Sequence, residues 1–98
     1  MAYTQITNST TFFESVKYEG TGSTQSISGI NFKPDFVWVK DRDNARSHEL
    51  YDSIRGATKR IQSDNDGDES TQTNNLTAFQ SNGFQVGTGA GTNDSGQT

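Results

Sequence analysis

The chain has 98 residues, a net charge of −4 at neutral pH and no cysteine, so we expect one small domain without disulfide bonds or thiolate metal sites. The acidic balance argues against nucleic acid as a partner, because a phosphate-binding surface is usually basic. No apolar run approaches the length of a transmembrane helix, so no membrane insertion is expected. Hydrophobic residues make up only 28% of the chain, which predicts a marginal domain stabilised by further chain or by copies of itself.

Uncharged polarity is the unusual feature of the composition. Ser, Thr, Asn, Gln and Gly make up half of the residues, and single aromatic and β-branched residues are interleaved among them, as in short strands joined by many turns. We therefore predict an all-β fold class, with a polar N-terminal segment at 1–11 and a single β-sandwich-like domain at 12–98. The first segment lacks a basic region followed by an apolar stretch, so no signal peptide is expected.

The first half of the domain holds three strand candidates. Residues 12–18 and 25–32 alternate apolar and polar side chains, and Gly29 predicts a bulge or bend within the second. Residues 36–39 are apolar at both parities, which predicts a central sandwich strand covered on both faces. Trp38 is accordingly expected in the core, although an exposed indole would suit stacking on a sugar.

The second half alternates weaker strand signals with polar loops. Residues 49–54 fit a helical turn about as well as a strand, and the surrounding strands favour the strand. Asp52 and Arg55 are expected to form an ion pair that fixes a turn at Gly56. Residues 64–75 are predicted to form a long polar loop.

A hairpin is the clearest local prediction. Strand candidates at 76–80 and 84–86 flank Ser81-Asn82-Gly83, in which Asn-Gly would supply the positive φ of a tight turn. The tail at 87–98 is rich in glycine, and we interpret it as the approach to a further strand.

Catalytic and metal-binding constellations are poorly supported. His48 is the single histidine, and its neighbours Ser47 and Glu49 would point to the opposite face of a strand, so we expect a loop-edge histidine. One histidine without cysteine makes a zinc site improbable. The acidic loop 64–69 does not have the ligand spacing of an EF-hand. We expect a solvated loop, and the alternative is a less regular cation site formed by its oxygen atoms.

The sequence also gives no support for a paired-carboxylate active site or a phosphate-binding loop. Nothing in the spacing of Asp35, Asp41, Asp43 and Asp52 brings them to one cleft, as glycoside hydrolysis would need. The glycine-rich run at 87–91 lacks the Lys-Ser/Thr pair and the following helix of a P-loop. We therefore predict no catalytic, cofactor-binding or metal residues, no cofactor, and a protein that is not an enzyme.

Five motifs together resemble a known family. They are Ile-Asn-Phe-Lys-Pro-Asp-Phe-Val-Trp-Val-Lys at 30–40, Arg-Ser-His at 46–48, Leu-Tyr-Asp-Ser-Ile-Arg-Gly-Ala at 50–57, Leu-Thr-Ala-Phe at 76–79 and Ser-Asn-Gly-Phe-Gln-Val-Gly at 81–87. The pattern covers roughly residues 12–96. It resembles a domain common in virion proteins of marine and cyanobacterial tailed phages, including tail-fibre-like and other particle-surface proteins.

The resemblance implies a fold, a location and partners. The fold would be a concanavalin-like or laminin-G-like jelly roll, and the role a structural component of a bacteriophage particle, as a capsid-surface decoration or a tail or fibre module. The alternative is a lectin-like carbohydrate-binding module for host attachment. Partners would be other virion proteins, a host surface glycan and copies of the chain, with a trimer expected first. Such families usually continue into a Tyr-Val-Ala-Trp-like strand, without which a jelly roll has an open edge that another subunit or further chain would cap.

Overall fold

Strands dominate the computed structural model, which describes residues 12–98. Seven short strands and one helical turn follow in chain order: β1 Gln25–Ile27, β2 Phe36–Val39, β3 Glu49–Asp52, β4 Lys59–Arg60, β5 Ser70–Thr71, β6 Leu76–Gln80, β7 Gly83–Val86 and α1 Ala90–Asn93. The prediction of an all-β fold class is confirmed at this level. The predicted polar segment at 1–11 lies outside the described residues.

The strands form three antiparallel sheets. One has the order β1-β7-β6, one pairs β2 with β3, and one pairs β4 with β5. A bridge between Leu50 and Ile61 continues the second sheet on the far side of β3. Along 12–98, β2 therefore has a strand partner on one edge only, and the prediction that it is a central strand is wrong.

The two faces of β2 differ sharply in exposure. Val37 and Val39 are buried, whereas Phe36 and Trp38 are 53% and 56% exposed. The prediction of a strand covered on both faces, with Trp38 in the core, is therefore wrong. An all-apolar run cannot indicate how many layers cover it, and no layer of the described chain lies over the outer face.

Side chains of the β1-β7-β6 sheet meet those of the β2-β3 sheet in one apolar cluster. Its buried members are Ile27, Ile30, Val37, Val39, Tyr51, Leu76, Phe84 and Val86, with Tyr18, Phe32, Ala57 and Phe79 packed against them. The ring of Tyr18 meets Phe84 edge-on, with centroids 6.2 Å apart. This is a thin core, as the composition predicts.

The β6–β7 hairpin is confirmed, but its turn works differently from the prediction. Gln80 pairs with Gly83, and the positive φ values of the described chain occur at other glycines, namely Gly22, Gly29, Gly56 and Gly96. Gly83 is needed for close approach instead, because a Cβ there would run into the carbonyl oxygen of Ile27 in β1.

Of the remaining local predictions, some are confirmed and others are wrong. Residues 49–54 do contain a strand, β3. Gly29 has a positive φ of +87° but lies after the end of β1, so it makes no bulge within a strand. Residues 12–18, which were predicted as a strand, form no β-ladder with the rest of the described chain. The strand predicted at 25–32 is shorter in the structure and corresponds to β1, Gln25–Ile27. The tail forms the helical turn α1, with Asn93 1% exposed, rather than an extended approach to a strand.

Candidate functional site

An apolar groove runs along the free edge of β2. Residues 12–18, Gln97 and Thr98 also line it, and its volume is about 960 Å³. We call it the β2 groove. The residues of the buried apolar cluster that line it are Ile30, Val37, Val39 and Phe84, and the exposed lining residues include Phe12, Phe13, Val16, Phe36 and Trp38.

The exposed apolar side chains of the described chain are concentrated at this groove. Six large hydrophobic residues are exposed, and five of them line it, with Ile54 as the exception. Scattered exposed apolar residues are ordinary on protein surfaces, whereas a contiguous patch marks an interaction site. The β2 groove is therefore the candidate functional site.

Trp38 is oriented by His48, the residue directly before β3. Its indole Nε1–H donates a hydrogen bond to Nδ1 of His48 over 2.9 Å, and the two rings lie 5.7 Å apart. His48 lies directly before β3 and forms no ion pair with any carboxylate of residues 12–98. The histidine thus orients a surface aromatic residue through its Nδ1.

The rim of the groove carries unpaired positive charge. Lys17, Lys33, Lys40 and Arg42 line it, and none forms an ion pair within the described chain. The acidic residues of the rim are engaged. Asp41 and Asp94 bind Arg46 at 3.2 and 2.8 Å, Asp35 accepts from Ser53, and Glu14 accepts from the amide of Asn31. The groove lining therefore carries side chains of both signs, four basic and four acidic.

Asp41 organises the loop at one end of the groove. Its burial raises the pKa of the carboxyl, but hydrogen bonds from Asp43 and Asn44, together with the Arg46 guanidinium, bring that pKa below its ordinary value. One oxygen accepts both backbone amides, at 2.9 and 3.0 Å. The ionised carboxylate is the form that holds the loop.

Replacing Asp41 should therefore flatten the acid limb of the stability curve. A carboxyl with a lowered folded-state pKa stabilises above its unfolded pKa, near 3.8, and loses that contribution as the pH falls through the folded value. Asp41→Asn should cost about 1–3 kcal/mol at pH 7 and less at pH 3, which lies below the unfolded-state pKa. Urea unfolding at both pH values measures this, with exposed Asp66→Asn as the control. Equal losses at both pH values would contradict it.

A buried polar cluster surrounds Glu49. Its carboxylate is 3% exposed and accepts hydrogen bonds from Tyr51 Oη, from Asn75 Nδ2 at 2.9 and 3.0 Å, and from Arg60 Nη1 at 3.2 Å. Burial, followed by the bond to Glu49 and its charge, raises the pKa of Tyr51, so the phenol stays a donor. With its acceptor positions filled, Glu49 is arranged to hold the fold together.

The glycine-rich tail packs onto this cluster. A Cβ at Gly91 would run into the Glu49 carboxylate, and one at Gly89 would run into the side-chain oxygen of Asn75. Close approach therefore accounts for two of the tail's glycines. The sequence signal, glycines spaced two apart, was visible, but the partners they approach, Asn75 and Glu49, lie 14 and 42 residues earlier in the chain.

Comparison with known protein families identifies the family of the chain. A family model described as a domain of unknown function, DUF7483, matches residues 8–98. The chain belongs to the DUF7483 family. No curated protein and no solved structure matches it.

The sequence-predicted candidates of this DUF7483 domain fall at separate places. Asp52 pairs with Arg55, as predicted, and a second contact joins Arg55 to Glu69 at 3.2 Å. Asp35, Asp41 and Asp43 each bind a different partner. Within the described range, no group of three or more His, Asp or Glu residues could hold a metal, the acidic loop 64–69 included. No helix of that range is long and apolar enough to cross a membrane.

Proposed function

We propose that the chain is a non-catalytic structural module of a bacteriophage particle, either a capsid-surface decoration or a tail or fibre module. The observation that carries the proposal is the β2 groove, where large apolar side chains line an unpaired strand edge. Soluble domains usually protect such an edge, and an unprotected one indicates a partner. The particle as the place of assembly comes from the motif resemblance.

The site chemistry supports a non-catalytic role. The acceptor positions of Glu49 are filled by three neighbours, and His48 Nδ1 is occupied by Trp38. General acid–base catalysis needs a positioned group that can exchange a proton with a substrate. The groove instead offers apolar surface and a backbone edge, which suit binding.

The arrangement of the sheets supports the finer fold proposal, an incomplete sandwich of the jelly-roll type. The β1-β7-β6 and β2-β3 sheets share one core cluster, as the two layers of a sandwich do. An added strand along β2 would enlarge the second layer and cover Trp38. Copies of the chain in a homo-oligomer, with a trimer expected first from the resemblance, would place several such sites around one axis.

Quantitative mass spectrometry of purified phage particles that encode this chain tests the role. We expect the chain in fixed stoichiometry with the major capsid or tail proteins. Many copies per particle would indicate a head decoration, and a few copies would indicate a tail or fibre module. Its absence from washed, intact particles would contradict the proposal.

A lectin-like module for host attachment is the second candidate, and the exposure of Trp38 favours it. Phe36 and Trp38 lie two residues apart on the outer face of β2 and are more than half exposed. Aromatic faces of this kind can stack on the apolar faces of sugars. A glycan array probed with the labelled chain tests this candidate, and an array without a binder would remove it.

Trp38→Ala should leave the fold almost as stable as before. Because the indole is exposed, its removal should change the free energy of unfolding by about 0.5 kcal/mol, as for other surface substitutions. Val37→Ala, the adjacent buried position, should cost about 1.5–3 kcal/mol. Thermal unfolding of both variants measures the difference. Equal losses would mean that Trp38 is covered in the isolated chain.

A further inference from the structure

Trp38 and His48 lie on the same outer face of the β2-β3 sheet. Trp38 pairs with Leu50 in the antiparallel ladder, and His48 precedes Leu50 by two residues. Side chains two residues apart along a strand share a face, so the imidazole lies diagonally across from the indole. The 2.9 Å hydrogen bond and the 5.7 Å separation of the rings follow from this placement. The two side chains therefore stay adjacent as long as β2 and β3 are paired.

The hydrogen bond fixes the position of the proton on His48. An indole nitrogen can only donate, so the Nδ1 atom that it contacts is an unprotonated acceptor, and the proton of the neutral imidazole lies on Nε2. In the charged imidazolium both ring nitrogens carry protons, and neither can accept. Histidine side chains change charge between about pH 5 and 8. The contact with Trp38 therefore belongs to only one of the two charge states of the imidazole.

The strands on either side of His48 place no carboxylate opposite it. Continuing the β2-β3 register by one pair brings Lys40 opposite His48 on the outer face. On the other side of β3, the bridge between Leu50 and Ile61 brings the uncharged Ser63 to the corresponding position. A charged imidazole would therefore lie beside a lysine ammonium, and like charges directly opposite each other on a sheet are destabilising.

The acidic groups nearest in sequence are engaged elsewhere. Glu49 is buried on the opposite face of β3, and Asp52 pairs with Arg55. In the loop before His48, the two carboxylates that contact Arg46 neutralise it. His48 itself forms no ion pair within residues 12–98. None of these groups is placed to hold the imidazole in its present position once it becomes charged.

We propose that His48 is a pH-dependent latch for Trp38. With a neutral imidazole, the indole is held by its N–H at the outer face of β2. With a charged imidazolium, the bond is lost and the indole is free to rotate about its side-chain torsions. Because Trp38 is 56% exposed and lines the β2 groove, the shape of this surface differs between neutral and mildly acidic conditions. The latch needs no bound partner, and it is independent of the proposed particle role.

Nuclear magnetic resonance of the full chain tests the latch directly, because the sequence has one tryptophan and one histidine. In a 15N-labelled sample, the imidazole nitrogen shifts report the tautomer, and the single indole cross-peak reports the N–H of Trp38. At pH 8 we expect the Nε2–H tautomer. The indole N–H should exchange with solvent about three- to tenfold more slowly than in His48→Ala, the factor for one net hydrogen bond. A proton on Nδ1 at pH 8 would overturn the proposal.

Acid should remove the difference between the two proteins. Once the nitrogen shifts show a fully charged imidazole, the indole N–H of the parent and of His48→Ala should exchange at the same rate. The heteronuclear NOE of the indole should fall in the parent, which reports faster motion. The backbone amides of Val37 and Tyr51 should keep their chemical shifts, because the β2-β3 ladder stays paired. An indole N–H that remains protected, or an unchanged heteronuclear NOE, would overturn the latch.

His48→Gln is the matched control for titration of the imidazole. A glutamine side chain has an oxygen that can accept from the indole, but it does not change charge with pH. The acid-induced changes at Trp38 should therefore disappear in this variant. If they persist in His48→Gln, another titrating group causes them, and the assignment of the latch to His48 is overturned.

Discussion

Glu49→Ala should lower the free energy of unfolding by about 3–5 kcal/mol, the cost of removing one partner from a buried charge network. Tyr51, Asn75 and Arg60 would all lose their shared acceptor, and the Arg60 guanidinium would be left without a counterion. Small domains have about 5–15 kcal/mol of stability in total. The variant should therefore melt far earlier, or fail to fold at 37 °C.

Urea unfolding measures this effect, and Glu69→Ala is the matched control. Glu69 also pairs with an arginine, Arg55, but its side chain is 44% exposed, so its loss should cost about 0–1 kcal/mol. Glu49→Gln keeps the shape of the side chain and removes its charge. It therefore separates the effect of side-chain volume on stability from the effect of charge. A Glu49→Ala variant within 1 kcal/mol of the parent would show that the cluster does not stabilise the fold.

Asn93→Ala should cost about 2–4 kcal/mol, because one buried amide joins four partners. Its Nδ2 donates to the carbonyls of Ser23 and Gly87, at 2.6 and 2.8 Å. Its Oδ1 accepts from the amide of Thr21 and from Gln25 Nε2, at 2.9 and 2.6 Å. The substitution would leave the Gly87 carbonyl unpaired in the interior and loosen the tail, which backbone hydrogen bonds at Gly20 and Gly22 would still join to the segment before β1.

Thermal and urea unfolding check this value, with Asn31→Ala as the control, since Asn31 is exposed and should change stability by about 0.5 kcal/mol or less. The tail also carries Thr98 to Arg42 at the end of the β2 groove. Asn93→Ala should therefore increase hydrogen exchange at the Arg42 amide in the folded state. An unchanged Arg42 amide would mean that the end of the groove does not depend on Asn93.

Local signals in the sequence were sufficient for several elements. The hairpin of β6 and β7 follows from two alternating runs around a polar turn, and the Asp52–Arg55 pair follows from two charged residues beside Gly56. These features depend on residues a few positions apart. The coarse fold class follows from composition, since short β-rich runs separated by polar residues cannot build long helices.

The groove and the buried cluster depend on distant residues, and no local pattern predicted them. Trp38 belongs to an all-apolar run. Its exposure depends on which layers pack over β2, and the periodicity of the run does not show whether a side chain is buried or exposed. Glu49 and Tyr51 share the inward face of β3 because Asn75 and Arg60 meet them there. Sequence patterns assign a charged residue to the surface unless its partners are already known.

Assembly on a phage particle is the central proposal, and a cryo-electron microscopy reconstruction of a particle from a phage that encodes this chain tests it most directly. At side-chain resolution, we expect every copy of the domain to contact another particle protein or another copy along the free edge of β2, with Trp38 covered. A particle that lacks the chain, or one in which Trp38 faces solvent in every copy, would contradict the claim.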